Sequence, residues 1–196
     1  MSITEEKSRT RNRMRSVIAA FSPAERACAG AELVKIALGL PAWRSAKSLM
    51  LFSPLPDEPP IGELLNRSIA GGKITCLPRY DPQSRTYGAA IVTDPDKDLR
   101  KARYGILEPA DSCANLPLNQ LDLVFVPGVA FAPGGARLGR GRGFYDRLLT
   151  MVNGEKIGIG FSQQLLSKIP TEPHDARVSA ILTPHDSWNL RTAERS

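Results

Sequence analysis

The stretch "LDLVFVP" (121–127) and the "RLGRGRGFYDRLL" (137–149) that follows shortly after decide how this sequence is read. Leu123, Val124, Phe125 and Val126 are consecutive and apolar, so both faces of the segment want burial. That is the pattern of a strand inside a covered parallel sheet. The second stretch packs three arginines and three glycines into seven positions, Arg137 to Gly143, and then passes into a predicted helix from Phe144 to about Val152.

Working outward from the central strand, "KIGIGF" (156–161) and "VSAIL" (178–182) read as strands on the carboxyl side. On the amino side, "SLMLFS" (48–53) and "KITCLP" (73–78) read as short buried strands and "GAAIVT" (88–93) as a weaker one. Helices are predicted between them. Ser2 with Glu5 forms a capping box for a helix from about Thr4 to Ala20. Ser22-Pro23-Ala24-Glu25 starts a second one, ending near Leu38-Gly39, where glycine suits the end of a helix. A turn-rich "PLPDEPP" (54–60) leads into a third, stopped after Ala70 by Gly71-Gly72. Residues 94–120 are rich in Asp, Pro and Asn and read as loops with at most a short helix. Strands alternating with helices argue for an α/β fold with a mostly parallel sheet. No repeat and no low-complexity linker interrupts the 196 residues, so a single domain, 1–196, is expected, with the last six residues frayed.

Composition narrows the function. Hydrophobic content of 42% and charged content of 23% are ordinary for a soluble protein. No apolar run approaches the roughly 20 residues that span a bilayer. No signal peptide is recognised, so a cytoplasmic location is expected. Cys28, Cys76 and Cys113 are odd in number and widely spaced, which suggests neither a zinc site nor a disulfide framework but reduced, mostly buried thiols. With His174 and His185 the only histidines, a multi-histidine metal site is not expected.

The net charge of +6 is concentrated in two places. Residues 1–15 carry +3 and residues 136–147 another +3, which leaves the rest neutral. Such clusters attract phosphate-rich partners. On a helical wheel of the first helix, Met14, Val17, Ile18 and Phe21 form one apolar stripe. Lys7 and Arg11 border it, where a docked helix aims them into a cleft, while Arg9 and Arg13 face solvent.

The Gly-Arg loop follows a buried strand and enters a helix, and ligands of open α/β sheets bind at the carboxyl ends of strands. Gly139, Gly141 and Gly143 let backbone N–H groups turn toward an anion and let it come close. Arg137, Arg140 and Arg142 add full charge and forked donors, and the helix start adds partial positive charge. The segment is neither a Walker A loop, because Arg140-Gly141 stand where Lys-Ser/Thr should, nor a dinucleotide fingerprint. A polyphosphate cradle is the favoured reading; an RNA-contacting Gly-Arg tongue and a merely solvated loop are its competitors. Asp146, in the first turn of the helix, either complements the helix dipole or holds a Mg²⁺ on the phosphates.

"RLGRGRGFYDRLL" closely resembles the R-L-G-x-G-x-G-Y/F-Y-D signature of the 5-formyltetrahydrofolate cyclo-ligases. Lys7 and Arg11 fit that family's N-terminal K-x-x-x-R. "SPLPDEPP" (53–60), "LPRY" (77–80), "YGILEP" (104–109), "LDLVFVPGVAF" (121–131) and "HDARVSAIL" (174–182) match further segments in order. The resemblance spans about residues 7–182. It implies a single-domain, three-layer αβα protein that couples ATP cleavage to closing 5-formyltetrahydrofolate into 5,10-methenyltetrahydrofolate.

It also implies residue roles. Lys7, Arg11, Arg137, Leu138, Gly139, Arg140, Gly141, Arg142, Gly143, Phe144 and Tyr145 would bind ATP. Ser53, Glu58, Arg140, Gly141, Arg142, Gly143 and Phe144 would bind the folate. Arg140 and Arg142 would be catalytic, and Asp146 and Asp175 would hold Mg²⁺. Phe144 stands where many members have Tyr, which removes a hydroxyl and keeps an aromatic wall. Free folate and ATP are the expected partners of a monomer, with no nucleic acid and no membrane. The competing functions are a nucleic-acid-binding protein, disfavoured by 6% aromatic content without a stacking motif, and an ATP-independent transferase or isomerase of a phosphorylated metabolite.

Overall fold

The computed structural model describes residues 1–83, 86–102 and 106–185, together with the backbone of the strand at 187–189. The start of "YGILEP" and the expected fraying of the last six residues lie outside the described residues. Helix α1 (Ile3–Ala19) begins at the predicted capping box, with Ser2 and Glu5 satisfying each other's backbone N–H. Ser22 and Glu25 start α2 (Pro23–Gly39) in the same way. Then come α3 (Pro41–Ser45), β1 (Ser48–Met50), α4 (Glu63–Ala70), β2 (Ile74–Asp81) and β3 (Thr86–Ile91). After α5 (Pro95–Asp98) the chain runs through β4 (Leu99–Lys101), β5 (Leu107–Pro109) and β6 (Asn115–Leu116). The remaining elements are β7 (Leu123–Pro127), β8 (Ala130–Ala132), β9 (Ala136–Leu138), α6 (Phe144–Thr150), β10 (Glu155–Ile159), β11 (Ala180–Leu182) and β12 (Ser187–Asn189).

Eight of these strands form one sheet in the order β12-β11-β10-β7-β1-β2-β3-β6. The five from β11 to β2 are parallel to one another, and β12, β3 and β6 add antiparallel edges. β7 sits in the middle, as its apolar run requires. Side chains alternate across the sheet: Leu123 and Phe125 pack with Leu33, Trp43 and Leu64 of α2, α3 and α4. Val124 and Val126 pack on the opposite face with Leu148 and Leu149 of α6. The result is the αβα layering expected.

Besides the unpredicted α3 and β12, two regions depart from the expectation. Residues 94–120, read as loops with at most a short helix, hold such a helix in α5 but also the β4–β5 hairpin and the edge strand β6. Between β7 and the Gly-Arg loop lies a second hairpin, β8–β9, pairing Ala130 with Leu138 and Phe131 with Arg137. Arg137 and Leu138 therefore sit on a strand rather than in the loop. Phe131 keys this hairpin onto the sheet. A Cβ on Gly128 or Gly158 would fall 2.5 Å from its ring, so the ring lies directly on bare backbone. Helix α1 packs over the same hairpin through Met14, against Ala130, Ala132 and Leu138.

Candidate active site

Parallel strands put their carboxyl ends on one edge of the sheet, and the predicted site residues come from the loops there, from β9, from the start of α6 and from α1. Helix α1 buries Lys7 and half-buries Arg11, while Arg9 and Arg13 stay exposed, as the wheel predicts. Lys7 Nζ donates to Asp175 Oδ1 at 2.8 Å, to Asp175 Oδ2 at 2.6 Å and to Glu172 Oε2 at 2.8 Å. Burial opposes the charge on Lys7, but hydrogen bonds and charge from Asp175 and Glu172 outweigh it and hold its pKa above the ordinary amine value. Asp175 shows the converse: burial would raise its pKa, and Lys7 with the Glu172 N–H holds it below the usual carboxylate value.

One turn further along α1, Arg11 Nε donates to the carbonyl of Gly139 at 2.8 Å. The guanidinium lies so close to Gly141 that a Cβ there would fall 3.3 Å from Arg11 Cζ, and Gly141 has φ +100°. Position 141 needs glycine for its backbone turn, whereas the Arg11 guanidinium could yield the few tenths of an ångström a Cβ asks. Gly143, at φ +64°, caps α6, and no side chain caps that helix.

Arg137 on β9 is 3% exposed. Its Nη2 donates to Asp146 Oδ1 at 2.7 Å, its Nη1 to the carbonyl of Pro127 at 3.2 Å, and the guanidinium lies 5.6 Å from the Tyr145 ring centroid. Arg137 Nε is buried without a hydrogen-bond partner. Asp146 Oδ1 also accepts from the N–H of Ala176 at 3.3 Å, which ties α6 to the residue after Asp175. The two predicted metal ligands are thus neighbours, and each is paired with a predicted phosphate-binding cation. A cavity of about 90 Å³ lies beside them, lined in part by Arg137, Glu172 and Asp175.

Arg140 reaches the loop after β1. Its Nη2 lies 2.6 Å from Asp57 Oδ1 and 3.0 Å from Glu58 Oε1, and its Nε 3.2 Å from the same Glu58 oxygen. Glu58 is 8% exposed, and its other oxygen accepts from the N–H of Leu55 at 3.0 Å. Burial pushes the Glu58 pKa up; the Leu55 N–H and the Arg140 charge offset only part of that. Phe144 closes an aromatic trio with Tyr80 and Tyr87, ring centroids 5.2–5.4 Å apart. Arg142 is exposed, and its charge acts on the Tyr87 phenol. Ser53 Oγ accepts from the N–H of Leu107, which ties it to β5. Leu138 is buried in the small core under α1, and Tyr145 packs against the core beneath α6.

Four residues of this constellation have no role in the sequence reading: Asp57, Tyr80, Tyr87 and Glu172. Glu172 lies 165 positions from Lys7, so no local spacing links the two. Tyr80 and Tyr87 are direct partners in the β2–β3 register, which a hairpin reading of 73–93 would have exposed.

The family model described as the 5-formyltetrahydrofolate cyclo-ligase family matches residues 3–184. The chain is 31% identical over 183 residues to the 5-formyltetrahydrofolate cyclo-ligase of Haemophilus influenzae, covering 91% of this chain and 98% of that one. It is 40% identical over 147 residues to the protein of the same name from Mycolicibacterium smegmatis, covering 71% and 75%. Among solved structures it is similar to the 5,10-methenyltetrahydrofolate synthetase of Aquifex aeolicus, with a TM-score of 0.85 and 29% identity over 94% of this chain and 93% of that one.

Proposed function

Because the chain belongs to the 5-formyltetrahydrofolate cyclo-ligase family and is a ligase, we propose that it closes 5-formyltetrahydrofolate to 5,10-methenyltetrahydrofolate with Mg²⁺-dependent cleavage of ATP to ADP and phosphate. The observation that carries this reading is the convergence of Lys7, Arg11 and Arg137 with Asp146, Glu172 and Asp175 around the Gly-Arg loop. Cations and carboxylates in such proximity suit a metal-bound polyphosphate, which presents both signs of charge.

The chemistry explains why a phosphoryl donor is needed. A formyl amide carbon is a poor electrophile and its oxygen a poor leaving group. The formyl oxygen forms a bond to the γ-phosphorus as the bond to the ADP oxygen breaks. The N10 amine adds to the resulting imidate carbon and gives its proton to solvent. The carbon–oxygen bond then breaks, and phosphate departs with the former formyl oxygen.

The protein's part is positioning and charge stabilisation. Lys7, Arg11 and Arg137 hold the phosphates, and the backbone of residues 138–145 lines them. Arg140 and Arg142 face the transferring phosphoryl group or the folate. Glu58 and Ser53 hydrogen-bond the folate, and Phe144 gives it an aromatic wall. The donor set fits magnesium, since Asp175 and Glu172 offer hard carboxylate oxygens at a cavity and Asp146 adds another through its contact with Ala176. When bound, the ion neutralises charge on the phosphate oxygens. A monomer acting in the cytoplasm on free folate, without nucleic acid or membrane, belongs to the same proposal. Among the described residues no helix is long and apolar enough to cross a membrane.

The test mixes protein with 5-formyltetrahydrofolate, with and without MgATP, and follows the methenyl chromophore. ATP-dependent appearance is expected. Its absence from well-folded protein, or its appearance without ATP, refutes the reading.

A further inference from the structure

Each carboxylate assigned to the metal carries a cation assigned to the nucleotide. Lys7 Nζ is seated on both oxygens of Asp175 and on Glu172, and its side chain is 8% exposed. Arg137 Nη2 is seated on Asp146. The ammonium of Lys7 makes three short contacts to carboxylate oxygens, which is the kind of donor set a divalent cation takes. Glu172 and Asp175 offer oxygens within 4.8 Å of one another, with His174 beside them. Two carboxylates that close would repel if left unneutralised.

We propose that Lys7 occupies the cation position of the Asp175–Glu172 carboxylates and moves to the phosphates when a nucleotide arrives, while Arg137 stays on Asp146, so that metal and polyphosphate enter together. Glu172 thereby joins Asp175 as a carboxylate of the metal site. The proposal rests on the reading of this site as a magnesium–nucleotide site. It adds that protein without nucleotide excludes the bare ion. A metal arriving alone must displace a buried ammonium that then has no counter-charge, whereas a metal arriving with a polyphosphate offers that ammonium new oxygens in the same event. By linkage, the nucleotide raises metal affinity by the factor by which the metal raises nucleotide affinity.

The experiment measures Mn²⁺ binding to nucleotide-free protein by paramagnetic resonance and calorimetry, with no turnover involved. Wild type is expected to bind Mn²⁺ at this site weakly. Lys7→Gln, which keeps a hydrogen-bond donor and removes the charge, should bind it at least about tenfold tighter, within the usual range of coupling between sites. Adding Glu172→Gln or Asp175→Asn to Lys7→Gln should abolish the gain. Equal Mn²⁺ affinity in wild type and Lys7→Gln overturns the proposal, as does a gain that survives both added substitutions. Should Lys7→Gln fail to fold, wild type decides. Tight Mn²⁺ binding there without nucleotide overturns the proposal, and binding that appears only with a non-hydrolysable ATP analogue supports it. The cyclo-ligase assay is a separate readout. If Lys7→Gln gains Mn²⁺ while well-folded wild type forms no methenyl product with MgATP, the cation exchange stands and the reaction is refuted.

Discussion

Replacing Arg137 with Met tests the ion pair under α6 apart from any role in catalysis. Arg137 is 3% exposed and its partner side chain, Asp146, 20% exposed, so water screens the pair poorly. Removing one member of a buried pair costs roughly 3–5 kcal/mol, because the other charge is left uncompensated. Here the residual exposure of Asp146 and its bond from the Ala176 N–H keep the loss near the lower figure, about 3 kcal/mol. For a chain of this length that corresponds to a drop in Tm of about 6–12 °C. Asp146→Asn alone leaves the guanidinium unpaired, with the Pro127 carbonyl as its remaining acceptor. The double variant removes both charges and should recover about 2 kcal/mol relative to the sum of the single changes. Urea unfolding of all four proteins gives the coupling. Additive losses, or an Arg137→Met loss under about 1 kcal/mol, would refute the argument that the pair holds the hairpin to α6.

Gly158→Ala forces a methyl group into the Phe131 ring and should cost about 1–3 kcal/mol in urea unfolding; a neutral result would show that the ring is free to move. Phe144→Ala removes two ring contacts within the protein worth about 1–3 kcal/mol together in urea unfolding and, by removing the proposed aromatic wall, should raise KM for the folate while KM for ATP moves far less; equal shifts in both would reject that wall. Because Glu58 titrates above its unfolded value, its contribution to stability is full below the unfolded pKa and falls as pH rises through the folded one. Unfolding free energy of wild type minus that of Glu58→Gln should therefore decline from about pH 4 upward, and a flat or rising difference contradicts the burial argument. Arg9→Ala should leave KM for ATP unchanged where Lys7→Ala raises it; equal effects in steady-state kinetics would reject the two-sided reading of α1.

The parts of the fold that were legible in the sequence are those where local chemistry and global burial agree. The run at 123–126 is apolar on consecutive positions because α-helices cover both faces of β7. The Ser2/Glu5 and Ser22/Glu25 boxes mark their helices because the cap satisfies itself within four residues. Lys7 and Arg11 could be told from Arg9 and Arg13 because a docked helix has only two sides. What was not legible depends on distant partners. β8 and β9 are three residues each, too short to show alternation, and their Pro133-Gly134-Gly135 connection reads as loop. β6 has two residues and exists because β3 offers it an edge. Glu172 becomes part of the site only when α1 lays Lys7 upon it, and Asp57 only when Arg140 crosses to the neighbouring loop.

Phe131 fixes a division of labour among the arginines. Its ring pins β8 to the central strands, so Arg137, its direct partner on β9, inherits the stiffness of the sheet and has no slack to follow a reacting group. Arg140 and Arg142 ride the span between Gly139 and Gly143, where the backbone at Gly141 and Gly143 takes turns that other residues resist. Under the proposed function, Arg137 is therefore the fixed post against which a phosphate would be registered. Arg142, exposed on the same loop, and Arg140, once released from Asp57 and Glu58, would be the two that follow the phosphate as it changes shape.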